Sequence, residues 1–316
     1  MIVVTGGAGF IGSNLVRGLN ARGIHDILVV DDFEDGSKHL NLNACRFADL
    51  MDYRDFRQGL WDLADSGVEA VFHQGACSDT TERDGRFMLE VNYEYSKELC
   101  AFCTEHDARF IYASSAATYG DGKRGFREEP ECEWPLNVYG FSKMVFDQWV
   151  RAQGRSATQI AGLRYFNVYG PQENHKGRMA SVVYHFHKQI GEHGELKIFE
   201  GSEGFVRDFV HVDDVVAVNL WLYDHPQVSG IFNCGTGKPE SFRKLAEETA
   251  RHYAGARIAT IPFPADLAGK YQAYTCADLA KLRAAGYGGA FRGLGEGVAS
   301  YVKILKESGG HHRAGA

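Results

Sequence analysis

The sequence predicts an α/β fold, a doubly wound parallel sheet with a smaller mixed lobe, on three observations. Short apolar runs alternate with helical patterns through the first half, a glycine-rich turn follows the first run, and the rhythm breaks after Asn167. Apolar runs without polar alternation are strands buried on both faces, and strand–helix–strand repetition makes them parallel. Met1–Thr5 (MIVVT) is the first strand, and Ile11, Leu15, Val16 and Leu19 then recur on one face of a helix. Ile27–Val30 is the second strand, Ala70–Phe72 the third, Phe110–Ala113 the fourth and Ile160–Leu163 the fifth. Residues 171–208 are polar and loop-rich, with one helical stretch near Met179–Ile190, and Phe209–Leu222 reads as strand then helix. From Gly235 turns and helices mix without a βα repeat. The expected division is one domain of residues 1–166 with 209–234 and a second of 167–208 with 235–316. The tail SGGHHRAGA reads as disordered.

Glycine is abundant, 37 of 316 residues against a usual roughly 7%, which suits many strand-to-helix turns. A net charge of −7 provides no basic field and argues against a nucleic-acid partner. The seven cysteines are scattered; Cys100 and Cys103 fall in SKELCAFCTEH, a helical pattern, so the pair reads as packing and no metal site is expected. No apolar stretch approaches the roughly 18 residues of a membrane span, and the first strand starts at the N-terminus, so the expectation is a cytoplasmic protein.

Gly6, Gly9 and Gly12 stand between the first strand and the first helix. A side chain there would block the backbone's approach to a pyrophosphate, and the helix start offers free N–H groups, as in a Rossmann dinucleotide site. Asp31 closes the second strand, where a carboxylate binds ribose hydroxyls and by itself favours NAD. Lys38 can neutralise a phosphate in the next loop, although alone it reads as a solvated lysine. Asp49, in FADLMD, can accept from the adenine amino group. Gln74, Gly75, Ala76, Cys77 and Ser78 follow the third strand and can pass beneath the cofactor. This chemistry leaves NAD and NADP open.

Tyr139 and Lys143, four residues apart in NVYGFSKMVF, share one helix face. A nearby ammonium and the cofactor's positive ring are together expected to lower the phenol's pKa and make tyrosinate accessible. Ser114 and Ser115 end the fourth strand, and either hydroxyl can reach an oxygen undergoing redox change.

TGGAGFIG, SSAATYG, YGFSK, RYFNVYGP and RDFVHVDDV together resemble the extended short-chain dehydrogenases/reductases that act on nucleotide sugars, over nearly the whole chain. The finer features HQGACSDTTERDG, NHKGRMASVVYHF, FEGSEGFVRDFV and GKYQAYT are similar to members that epimerise an ADP-linked heptose at C6 for the lipopolysaccharide inner core. The resemblance implies catalysis by Tyr139 and Lys176 as two acid/bases, with Ser115 and Lys143. A carbon with no acidic C–H is inverted by temporary oxidation, and attack on both faces calls for two groups. Without the resemblance, Lys176 would read as a loop cation neutralising phosphate.

The resemblance further implies NADP as cofactor and a homo-oligomer, a pentamer. Implied cofactor contacts are Gly6, Gly9, Phe10, Ile11, Gly12, Asp31, Asp32, Lys38, Asp49, the 74–78 turn, Asn92, Lys143, Val168 and Lys176. Implied substrate contacts are Ser115, Asn167, Arg178, His185, Phe199, Glu200, Gly201, Ser202, Arg207 and Tyr271. Arg207 suits a diphosphate through its planar fork, whereas His185, on a helical pattern, also reads as a packing residue. Two positions depart from the family pattern: Arg178 replaces a small serine, and Tyr53 replaces a lysine near the adenosine phosphate. Competing readings are a net oxidoreductase or dehydratase on the same scaffold and a non-enzymatic cofactor sensor. Ala116-Ala117-Thr118, where a dehydratase would carry an acid pair, argues against the dehydratase, and the retained Tyr139 and Lys143 argue against the sensor.

Overall fold

Strands that are apolar at every position need a layer on each side, and the chain supplies both. In the computed structural model, which describes residues 1–263 and 273–313, β1 (Ile2–Thr5) leads through the glycine turn into α1 (Phe10–Ala21). There follow β2 (Ile27–Asp31), α2 (His39–Leu42), β3 (Asp49–Asp52), α3 (Tyr53–Gln58) and β4 (Ala70–His73). Next, α4 (Gly85–Leu89) runs through one wide turn into α5 (Tyr95–Glu105), then β5 (Arg109–Ser115), α6 (Val138–Ala152) and β6 (Ile160–Tyr165). The chain continues with β7 (Asn167–Tyr169), α7 (Val182–His193), β8 (Glu195–Phe199), β9 (Val206–Arg207), β10 (Phe209–His211), α8 (Val212–Asp224) and β11 (Gly230–Cys234). It closes with β12 (Glu240–Ser241), α9 (Phe242–Ala250), β13 (Arg257–Ile261), α10 (Ala280–Ala284) and α11 (Leu294–Ser308).

The central sheet runs β11-β6-β5-β4-β1-β2-β3, and every neighbouring pair is parallel. Alternate residues pack on opposite faces. Val4, Val29, Phe72, Ile111 and Leu163 meet α1 and α8 on one side. Val3, Leu28, Val71 and Phe110 meet α5 and α6 on the other. The doubly wound α/β expectation is therefore met. The strand numbering is not: β3 intervenes, so Ala70–His73 is the fourth strand and not the third. β3 is a sheet-edge strand whose residues are exposed or half-buried, so it lacks the apolar run that marks the inner strands.

Beyond β6 only β11 returns to the sheet; the other strands form short pairs among the described residues, β7 with β10, β8 with β13, and β9 with β12. Helices α7, α9 and α11 close a separate core around Val183, Phe186, Leu196, Ile198, Leu245 and Val298. The helix placed near 179–190 starts only at Val182, because Gly177 (φ +51°) breaks the preceding turn and Ser181 caps α7. The tail is a second correction. Gly309–Arg313 folds back onto the body, the Gly310 carbonyl accepting from Gln172 N at 2.8 Å. Residues 314–316 lie outside the described ones.

Between α6 and the inner strands β5 and β6 lies a buried charge network. Arg164, fully buried on β6, donates through Nε to Asp147 Oδ2 on α6 at 2.9 Å and also pairs with Glu133. Asp147 accepts in addition from Tyr112 Oη at 3.0 Å and Ser114 Oγ at 2.9 Å, tying α6 to β5. The Cys100–Cys103 pair packs in the core under α5, where burial pushes Cys100 up to about 12 and raises Cys103 as well.

Candidate active site

Strand order reverses between β1 and β4, which leaves a crevice at their C-terminal ends. The glycine turn after β1 and the 74–78 turn after β4 flank it. A Cβ on Gly6 would lie 2.6 Å from Gly75 N, and one on Gly12 only 2.0 Å from Gly6 O, so neither position accepts a side chain. Gly9 starts α1 with no side-chain cap and no acid in the first turn, which leaves the helix amides for an anion. The crevice opens into a cleft of about 830 Å³, a volume suited to a dinucleotide with part of a second ligand. Phe10, Ile11, Gln74, Gly75, Ala76, Cys77, Ser78, Asn167 and Val168 all line it.

At one end sit Asp31, Asp32, Lys38 and Tyr53. The Asp31 carboxylate is buried; it accepts from Ala8 N at 2.8 Å and from Lys38 Nζ at 3.0 Å. Lys38 also donates to Asp32 O at 2.7 Å, so it is a fixed counter-ion and not a solvated lysine. Asp49 is not brought here. It pairs in register with Leu28 at the N-terminal end of β3, whereas Asp52 stands level with Asp31.

In the middle of the cleft, α6 presents Tyr139 and Lys143 to the end of β5. Asn137 caps the helix by accepting from Gly140 N at 2.8 Å, and a Cβ on Gly140 would meet Ala117 O at 2.6 Å. Close approach here sets Tyr139 beside Ser115, whose hydroxyl favours the ionised phenol. Ser114, the alternative of the serine pair, donates instead to Asp147. Lys143 donates to Ala113 O at 3.0 Å. Burial raises the Tyr139 phenol above its ordinary value, with the Ser115 bond opposing it. The expected lowering of the phenol is thus not what the protein alone provides, since the Lys143 ammonium is directed at the Ala113 carbonyl.

Burial pushes Lys143 from 10.5 down to about 8, against the pull of Asp147 and Cys77. Lys143 is therefore a cation below that pH and neutral above it. We expect kcat/KM to decline as pH rises through about 8; a profile that stays flat well above it would remove Lys143 from the catalytic group.

The other wall carries Lys176, on the 174–179 turn, with its ammonium 5.1 Å from the centre of the Phe10 ring. Burial lowers its pKa and Glu173 opposes the shift. Arg178 lies at the cleft mouth and reaches across to Asp79 Oδ2 at 2.7 Å and to Thr81.

Among the described residues, several expected contacts lie outside the cleft lining. Asn92 is buried behind it, bonding both backbone groups of Cys77 at 2.9 Å and thereby holding the 74–78 turn. His185 faces Arg178 O at 3.3 Å from α7. Phe199, Glu200, Gly201, Ser202 and Arg207 lie further out, where Arg207 stacks 5.7 Å from the Phe242 ring at the cleft's far end. Tyr271 lies outside the described residues. Sequence reasoning missed Phe87, Val91 and Tyr95, which line the cleft at four-residue spacing, and Phe209, Phe242 and Leu245, which close its far end. The four-residue spacing was a usable signal; the second set carried none beyond ordinary core periodicity.

The family model for the NAD dependent epimerase/dehydratase family matches residues 2–235. An ADP-L-glycero-D-manno-heptose-6-epimerase of Brachyspira hyodysenteriae is 54% identical over 316 residues, covering 98% of this chain and 99% of that one. The crystal structure of the Helicobacter pylori ADP-L-glycero-D-manno-heptose-6-epimerase superposes with a TM-score of 0.84 at 29% identity, over 97% of this chain and 96% of that one. The Thermus thermophilus UDP-glucose 4-epimerase in complex with NAD gives 0.79 at 27% identity, over 97% and 99%.

Proposed function

The chain belongs to the NAD dependent epimerase/dehydratase family, and from that premise we propose that it is an isomerase converting ADP-D-glycero-D-manno-heptose to the L-glycero epimer at C6. The observation that carries the reading is that two titratable groups suited to proton transfer, Tyr139 and Lys176, line one cleft from separate elements. Both have pKa values displaced by burial, as acid/bases in a water-poor site do.

A nicotinamide dinucleotide fits the site, because the cradle at Gly6 and Gly12 excludes side chains and the α1 amides are open. When bound, it supplies a reversible hydride acceptor for C6. The chain's residues do the rest. The α1 amides would hold the pyrophosphate, Asp31, Asp32 and Lys38 would take the adenosine end, and Val168 and Lys176 would lie by the other end. Of Tyr139 and Lys176, one removes the C6 hydroxyl proton of the incoming epimer. The other returns a proton to that oxygen once the carbonyl has presented its opposite face. Ser115 holds the phenol, and Lys143 keeps positive charge beside it.

We propose NADP as the cofactor. The Lys38 ammonium against Asp31 supports this, since it offsets the carboxylate that would repel a 2′-phosphate; Tyr53 adds no cation. The division of labour assigns residues 1–166 with 209–234 to the cofactor and 167–208 with 235–316 to the sugar nucleotide. Likeness to ADP-heptose epimerases supports a homopentamer working in the cytoplasm on the lipopolysaccharide inner-core donor. Among the described residues no helix is long and apolar enough to cross a membrane. A dehydratase would want a carboxylic acid beside Ser115. Among the described residues, the acids lining the cleft are Asp31 and Asp32 at the adenosine end and Asp79 at the mouth.

Purified protein should interconvert the two ADP-heptose epimers without added cofactor, and mass spectrometry of the dinucleotide released on denaturation should give NADP. Stoichiometric accumulation of reduced dinucleotide during turnover would overturn the epimerase reading, and release of NAD alone would overturn the cofactor assignment.

A further inference from the structure

We infer that the C-terminal segment Gly309–His312 is a positioning brace that holds the Lys176 turn against the glycine loop. The inference rests on Lys176 acting as one of the two acid/bases. Lys176 is reached from β7 through residues 170–173, a stretch with no strand or helix of its own, and then the 174–179 turn. Within that stretch Gln172 is buried with φ +78°, a left-handed conformation that a residue with a side chain keeps only where its surroundings impose it.

The tail helps to impose it, together with Asn41 O, which accepts from Gln172 Nε2 at 2.9 Å. Gln172 N donates to Gly310 O at 2.8 Å, and its side-chain oxygen lies 3.0 Å from His311 Nδ1. Asn174 Nδ2 donates to Gly309 O at 2.7 Å. The same stretch is then pinned to the cofactor side. Asn14 on α1 donates to Phe10 O and to Pro171 O, both at 2.9 Å. With its nitrogen so engaged, the Asn14 side-chain oxygen accepts from His312 Nε2 at 3.1 Å. His312 thus steadies the residue that ties the Lys176 stretch to the first turn of α1, whose Phe10 ring meets the Lys176 ammonium. Three separate contacts from the tail converge on two residues within four positions of one proposed acid/base. None of them touches the cleft lining directly, so their effect on chemistry is through placement.

The test is a chain ending at Ser308, with His312→Ala and Asn174→Ala as point variants in case truncation impairs folding. Misplacing an acid/base by a fraction of an ångström is expected to lower kcat about ten-fold. KM and the amount of dinucleotide that copurifies should stay at the level of the unaltered protein. His312→Gln, which keeps a donor, should restore kcat. Combined with Lys176→Met, the brace variants should add no further loss, because both act on one step. Unaltered kcat in both point variants, or a fully additive loss on top of Lys176→Met, would overturn the brace. Near-normal activity of Lys176→Met alone would instead overturn the two-base reading on which it stands.

Discussion

Replacing Tyr139 with Phe is expected to lower epimerisation in both directions by about 10²–10⁴-fold, the usual contribution of a positioned acid/base. The change removes one oxygen and nothing else. The ring keeps its place on α6, whose start is set by the Asn137 cap and the close approach of Gly140 to Ala117. The dinucleotide should therefore still copurify, since its contacts lie on the glycine loop and the 74–78 turn. Lys176→Met should cost a comparable factor through the opposite face of the sugar carbon. Losing either group blocks the cycle, because each turnover needs a proton removed on one face and returned on the other. Rates of both variants, measured from each epimer separately, test the pair. Tyr139→Phe within a few-fold of the unaltered protein would remove the phenol from the mechanism.

Replacing Arg164 with Met should lower unfolding stability by about 3–5 kcal/mol, the usual loss when one partner of a buried ion pair is removed. Arg164 is fully buried between Asp147 and Glu133, whose side chains are also almost wholly buried. Without the guanidinium, Asp147 keeps, among the described residues, the Tyr112 and Ser114 hydroxyls, and Glu133 keeps Arg151 at the network's edge. Urea unfolding at fixed protein concentration measures the loss. A change below about 1 kcal/mol, the usual worth of an exposed pair, would mean that water reaches the network. Because Asp147 sits one turn beyond Lys143 on α6, the same substitution also bears on how α6 is seated against β5.

The parts of this architecture that were legible in the chain are those encoded over short distances. Unbroken apolar runs gave the inner strands, since a strand covered on both faces has no polar side to show. The edge strand β3 escaped because its residues are partly exposed and its sequence, DLMD, carries no such run. Asp49 was read at the adenosine end for want of that strand's register, which pairs Asp49 with Leu28 and sets Asp52 level with Asp31. Lys38 was legible as a cation but not as the partner of Asp31. The tail read as disordered because glycine and histidine near a terminus are ordinary signs of it. Its bonds to Gln172 and Asn174 join groups more than 130 residues apart and leave no local pattern.

By itself the sequence determined the glycine cradle and the shared face of Tyr139 and Lys143, because both follow from fixed local geometry. A turn with no room for Cβ requires glycine, and a helix brings fourth neighbours together. The resemblance named Ser115, but only the tertiary structure gave the physical reason against Ser114, since adjacent strand residues face opposite ways and Asp147 holds Ser114. It likewise decided that Lys176 returns onto the Phe10 ring and that the protein alone raises the Tyr139 phenol. Desolvation and long-range contact depend on what packs alongside, and that information is spread over the whole chain.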